Sequence, residues 1–480
     1  MTQVTFRRRA GFQDLVLLFL LAMAAALLPA VPVHAAEKHA GRPLTGRWNI
    51  AFQMPQGNYE TPVEFTVGHN GEVKAALLGP LGTFRITDTK GTLKGSDLTL
   101  GAKTSFGDLR LKAVLEGDRL RGKWFPAGFV ARLFFKGELR GLRDRAYVPK
   151  PRLAAFDAAF ALLERDFYAP DYNGVDLQAL RQRYRSRVEA ASSDGEFVTL
   201  MRAMLAEFRT SHLDFFATPS MTPELHPTTA TATATATAVK ATEGITWRQL
   251  SPAVGYLRIE SFEDGPQVVA RVDRAFAELD RYPSLVVDLR GNGGGTLSAA
   301  MRIGDHVLPT MQPVGYFASR HGLIRRGLRS IDQLEPASLP GFSGYDGGDF
   351  TGEMIKGGAL MLATGGRAPQ RYRGRIVVLI DEYCFSATEA LVGIVKETRA
   401  ATLIGRRTAG AMLAAIPFPV EGGWTLLLPV FDFRTPQGSR VEGRGIEPDI
   451  LVKASQRKDA DLAAALKFLN RPSAAPSASR

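Results

Sequence analysis

A single cysteine, Cys384, stands in 480 residues. No intramolecular disulfide can form, so a large apolar core has to hold the chain together. Cysteine-rich zinc sites are excluded with it, and no ligand cluster at metal spacing occurs elsewhere, so neither a metal nor another cofactor is expected. Histidine is scarce too, with seven in the chain. His34, His39, His69 and His226 fall in terminal or loop-like stretches, and His306 and His321 follow a glycine turn, none with a partner at a recognisable spacing. His212 ends an amphipathic helix, a place usually filled by a packed or C-capping residue. The formal net charge is +12, which attracts polyanions in general. Basic and aromatic residues are nowhere interleaved as they are in nucleic-acid binders, and no nucleic-acid partner is expected.

The amino terminus carries an address. Arg7, Arg8 and Arg9 precede the apolar run Leu15–Val31, and Val33-His34-Ala35-Ala36 supplies the small residues that a signal peptidase reads. Residues 1–36 are therefore expected to be a secretory signal, which places the chain in the periplasm or outside the cell with no stable membrane span after cleavage. The run sits at the lower edge of what crosses a bilayer, so an uncleaved anchor is the competing reading. No lipobox cysteine follows it, so a lipid anchor is not indicated.

Between 41 and 145, short alternating strands recur with glycine or polar turns, as in Gly46-Arg47-Trp48-Asn49-Ile50-Ala51-Phe52. This pattern is expected to give an antiparallel β-barrel or sandwich that serves as an accessory domain or binds substrate or lipid. Pro149 and Pro151 open a helical unit, 150–218. Phe156, Phe160, Leu163 and Phe167 form one apolar stripe in it, Leu177, Leu180, Tyr184 and Val188 a second, and a third helix from Phe197 to Phe208 leads to Ser211-His212. A Thr-Ala alternation within 219–244 offers nothing to bury and reads as a linker. Residues 245–455 alternate strands and helices, as in an α/β core, and 456–480 read as a terminal helix and a polar tail.

Two segments of that core carry chemistry. Ile376-Val377-Val378-Leu379-Ile380 has the β-branched density of a strand covered on both faces, and after a turn Ser386 opens a helix. Its hydroxyl there would face bare backbone N–H groups and the positive end of a helix dipole. Ser386-Ala387-Thr388-Glu389 equally fits a capping box, in which the serine only caps. The second segment, Leu285-Val286-Val287-Asp288-Leu289-Arg290, runs into Gly291-Asn292-Gly293-Gly294-Gly295-Thr296. A phosphate cradle is weakened by Thr296, which stands where a third glycine belongs. Gly293 or Gly294 and the amide of Ala387 are the candidate donors to an oxyanion. Cys384 reads as a small packed residue rather than a reactive thiol.

With DLRGNGGG, the SATEA serine turn, the GRRTAG loop and VEGRGIEPDI (Val441–Ile450) in this order, the chain resembles the S41 peptidases, the tail-specific, C-terminal-processing and tricorn-like serine proteases. The resemblance implies a ClpP/crotonase-like catalytic core of α/β class, Ser386 as nucleophile and a peptide or protein as substrate. The processing members use a lysine base, and Ala411 stands in its place. Arg406 and Arg407 cannot substitute, because guanidinium stays protonated. The tricorn-like branch uses a histidine instead, which implies His212 as general base with Ser211 and Glu442 supporting it. The stretch between Phe216 and Ile245 is too short for the PDZ domain that processing members carry. A ligand-binding relative in the cell envelope, its catalysis lost, is the alternative function.

Overall fold

The computed structural model describes residues 44–54, 57–80, 86–104, 108–126, 137–145, 151–218, 244–262, 266–308, 310–343, 347–366, 368–454 and 459–471. The expected signal at 1–36 lies outside the described residues, as do all but the last residue of the expected linker and the tail beyond 471. Among the described residues no helix is long and apolar enough to cross a membrane.

Alternating sequence builds the first element. Strands β1 (Gly46–Met54), β2 (Gly57–Val67), β3 (Glu72–Leu77), β4 (Ile86–Lys94), β5 (Asp97–Thr104), β6 (Leu109–Glu116), β7 (Arg119–Pro126) and β8 (Gly137–Arg143) pair in order, and β1 also pairs with β8, so the sheet closes into a barrel. Closure leaves no free edge. Along β7 the inward Leu120 and Trp124 are buried while Arg119, Arg121 and Lys123 face out. The lumen is filled by side chains such as Trp48, Phe65 and Leu98. The indole N–H of Trp48 donates to the carbonyl of Leu44 at 2.9 Å, and the Arg143 guanidinium lies over its ring.

The helices Arg152–Asp166, Leu177–Glu189 and Asp194–Ala206 follow. Ser193 caps the third by accepting from the Glu196 amide. Its apolar face, with Phe197, Met201 and Met204, is fully buried. Arg202 on the same helix reaches back to the barrel rim, donating to the carbonyls of Leu77 at 2.7 Å and Gly79 at 2.6 Å, and forward to Asp214 at 2.9 Å. Asp214 begins β9 (Asp214–Ala217), so the helix fixes the strand that follows His212.

Two sheets make the rest. The first orders β10 (Ile245–Ser251), β11 (Val254–Ile259), β12 (Ser284–Asp288), β16 (Arg375–Ile380), β17 (Thr402–Gly405) and β20 (Ile450–Leu451), parallel from β11 onward. The second orders β14 (Gly341–Phe342), β15 (Ala359–Ala363), β13 (Pro313–Ser319), β19 (Trp424–Arg434) and β18 (Ala414–Val420), with β9 paired to β19. Parallel pairing of β12 with β16 brings their carboxyl ends to one edge, where α/β sheets bind ligands. A network around the buried Asp288 locks that edge. Asp288 accepts from Tyr256, Arg258 and Arg290, and Arg290 continues to Asp459 and Asp461 at the start of the terminal helix Ala460–Leu469.

Candidate active site

The turn after β16 is tied to the turn after β12. Asp381 accepts from the amides of Gly291 at 2.9 Å and Tyr383 at 3.1 Å through one carboxylate oxygen. Cys384 is fully buried with its sulfur 3.0 Å from the carbonyl of Leu289, and burial pushes its thiol well up. It is a packing residue. Ser386 then takes φ 58° and ψ −130°, and its side chain caps nothing. A non-glycine residue held there costs on the order of 1–3 kcal/mol, strain of the kind that clusters at functional sites.

The capping-box reading of Ser386 fails for a visible reason. Glu389, which would reach back to the serine amide, points away and accepts from Thr408 Oγ1 at 2.5 Å, Gly410 N at 2.8 Å and Ala411 N at 2.7 Å. Burial pushes its carboxyl up to about 7 against the opposing pull of those donors. The serine amide donates instead to the carbonyl of Ala411 at 2.9 Å. Ser386 Oγ is left partly exposed at the start of the helix Ala387–Thr398, with no hydrogen bond among the described residues.

Of the expected oxyanion donors, the amides of Ala387 and Gly293 have no acceptor among the described residues. Gly294 is corrected: its N–H donates to Asn292 Oδ1 at 2.9 Å and is not available. Its contribution is room, since with φ +83° a Cβ would stand 2.7 Å from the Ser386 Cβ. Asn292, fully buried, holds the turn by also accepting from Thr388 Oγ1 at 2.9 Å.

The histidine comes from the other side. Past the helix Asp194–Ala206, Arg209 and His212 both take positive φ, which turns the chain sharply before β9. Glu442 receives this turn, accepting from Ser211 N on one oxygen at 2.8 Å and from Ser211 Oγ on the other at 2.8 Å. Ser211 Oγ also lies 2.8 Å from His212 Nδ1. A hydroxyl has one proton, and with that proton on Glu442 the imidazole must donate from Nδ1, leaving a lone pair on Nε2. Burial lowers His212 to about 4 and raises Glu442 above the usual carboxylate range against its hydrogen bonds from Ser211 and Met412.

One peptide group joins the two halves. The carbonyl of Ala411 accepts from Ser386 N, and the N–H on the same peptide, that of Met412, donates to Glu442 Oε2 at 2.8 Å. Ala411, in place of a lysine, thus serves through its backbone. Lys396, on the serine's own helix, is engaged by Glu447 O and Asp449. Ser386 Oγ and His212 share no hydrogen bond in this structure, and such bonds commonly tighten only around a substrate. The other described histidines offer no base here. His306 is fully buried with both ring nitrogens bonded, to Gln370 O and Asp273, while His69 is exposed and His321 pairs with Asp166.

Residues 253–452 match the model of peptidase family S41, and residues 149–206 match that of the tricorn protease C1 domain. Over residues 253–452 the chain is thus similar to peptidase family S41. The carboxy-terminal processing protease CtpB of Bacillus subtilis is 24% identical over 203 residues, 42% of this chain and 34% of that protein. A carboxy-terminal-processing protease of Bartonella bacilliformis is 27% identical over 204 residues, 42% of this chain and 39% of that protein. The chain thus spans little more than a third of the length of these relatives. Among solved structures, the photosystem II D1 C-terminal processing protease superposes on 67% of this chain and 98% of its own with 16% identity and a TM-score of 0.43. The tricorn protease does so over 85% of this chain and 53% of its own, with 13% identity and a TM-score of 0.44. The S41 match covers Gly293, Gly294, Ser386, Ala387 and Glu442, whereas Ser211 and His212 lie beyond the end of the tricorn match.

Proposed function

We propose that the chain is an exported serine peptidase, in the periplasm or outside the cell, that hydrolyses peptide bonds in peptide or protein substrates through an acyl-enzyme on Ser386. The observation that carries this reading is the relay Glu442–Ser211–His212, which leaves Nε2 of the imidazole a proton acceptor and is joined through one peptide group to the strained serine turn. In the acylation step Ser386 Oγ attacks the scissile carbonyl while its proton passes to His212 Nε2. The oxyanion is taken by the amides of Ala387 and Gly293, at the positive end of a helix. Collapse of the tetrahedral intermediate expels the amine, which takes the proton from His212. Water, deprotonated by the same imidazole, then frees Ser386.

Ser211 acts through the imidazole, relaying the Glu442 carboxylate to Nδ1 as the carboxylate of a triad does directly. Carboxyl-terminal processing is the activity named for the curated relatives. The short 219–244 stretch leaves no room there for a separate module that captures a substrate terminus. The test is labelling by a fluorophosphonate. A folded wild type that takes up no label, and whose Ser386→Ala variant still binds peptide, would favour the ligand-binding alternative instead.

A further inference from the structure

Among the described residues the barrel meets the helical unit through β1, β2 and β3. Glu64 on β2 accepts from the Gly195 amide, and the carbonyls of Leu77 and Gly79, at and just after the end of β3, accept from Arg202. The outer face of β6, β7 and β8 is built differently. In the registered pairs of that face, Lys112 stands opposite Lys123 and Arg121 opposite Arg140, and all four are exposed. Like charges directly opposite on adjacent strands destabilise a sheet. Two such pairs lie side by side on this face.

The acids on this face relieve it only in part, Glu138 also standing opposite Lys123. Glu138 pairs with Arg140 at 3.2 Å and Glu116 approaches Arg121 at 3.9 Å, while Arg110, Lys112, Arg119 and Lys123 form no ion pair among the described residues. Two open depressions lie between the side chains. One of about 500 Å3 is lined by Arg119, Arg121, Lys123 and Arg140 together with Glu138. The other, of about 630 Å3, is lined by Lys112, Arg121, Lys123, Val114 and Phe125 together with Asp97, with Val114 41% exposed.

We propose that the outer face of β6, β7 and β8 docks the protein on an anionic phospholipid membrane surface, phosphate headgroups entering the cationic depression and Val114 meeting the interface. The cations extend across three strands in two dimensions, which fits a surface better than a linear polymer. The exposed Val114 in their midst is buried by a lipid interface and left wet by a soluble polyanion. Each basic residue held near an anionic leaflet adds to binding, and salt screens all of them.

The experiment uses residues 37–480, which keep the compact unit Pro43–Arg480 whole and remove the apolar run Leu15–Val31. Co-sedimentation is measured with vesicles of phosphatidylcholine alone and with about one third phosphatidylglycerol, at low and at high salt, with Ser386→Ala as a catalytically silent control. The proposal predicts binding to the anionic vesicles only, at least tenfold weaker at high salt and unchanged in Ser386→Ala. The double variant Lys112→Glu/Arg140→Glu sets opposite charges across both registers, so its thermal midpoint holds or rises while vesicle affinity drops at least tenfold. Equal binding to neutral vesicles, full binding by the folded double variant, or capture of soluble polyphosphate with no vesicle binding would each overturn it.

Discussion

Glu442→Gln is the most instructive single change, because it keeps shape and removes only the charge and one acceptor. In the native site Glu442 accepts from Ser211 N, Ser211 Oγ and Met412 N. An amide oriented to keep its oxygen on Ser211 N points its NH2 at the Ser211 hydroxyl and at the Met412 N–H. The hydroxyl then accepts from the amide and must donate to His212 Nδ1, which moves the imidazole proton to Nε2. That tautomer cannot take a proton from Ser386. The equivalent reversal in a Ser-His-Asp triad lowers kcat by about 10⁴, and with a hydroxyl interposed the expected loss here is about 10² to 10⁴. The Met412 N–H left without an acceptor costs a further ~1–3 kcal/mol of stability. The assay is the second-order rate of fluorophosphonate labelling together with a denaturant midpoint. A folded Glu442→Gln protein that labels within about threefold of wild type would refute the relay.

Other outcomes follow from the same geometry. Since burial lowers His212 to about 4, its imidazole is neutral at ordinary pH, and the labelling rate should fall only as pH drops through about 4; an acid limb centred at 6.5 would contradict this. The same shift makes unfolding take up a proton between pH 6.5 and 4, so stability falls as pH drops through that window, by on the order of 3 kcal/mol, and His212→Ala should flatten the fall in melting temperature. Gly294→Ala should abolish labelling, since a Cβ would meet the Ser386 Cβ at 2.7 Å and φ is +83°; a fully active variant would show that the serine turn has slack. Cys384, fully buried with its thiol pushed well up, should resist iodoacetamide in the native protein and react in denaturant, as mass spectrometry would show.

What the sequence conveyed and what it hid divide along one line. The strand-turn-helix character of Ile376–Ser386 and of Leu285–Thr296 is local, written in β-branched runs and glycines, and it located the serine turn and the glycine turn. The meeting of Ser211, His212 and Glu442 was also legible, and the three form a hydrogen-bonded row. Availability of donors was not legible. Gly293 and Gly294 look alike in sequence, and only the position of the Asn292 side chain decides which amide is spent. Glu389 was concealed because Ser-x-x-Glu satisfies a helix cap as well as it satisfies a clamp on Gly410 and Ala411, and the choice is made by a loop some twenty residues further on. The Ala411–Met412 peptide that joins the two halves uses backbone atoms, which carry no sequence signature at all. Alternation likewise marks strands in the amino-terminal region, while closure of the barrel depends on β1 meeting β8 across the length of the domain.

The central claim is that Ser386 is a nucleophile activated by His212. Its most direct test is the intact mass and peptide map of the folded protein after fluorophosphonate treatment, run beside Ser386→Ala and His212→Ala. One adduct on the peptide containing Ser386, absent from Ser386→Ala and slowed at least a hundredfold in His212→Ala, is the predicted result. An adduct on another residue, or labelling undiminished in His212→Ala, would contradict it.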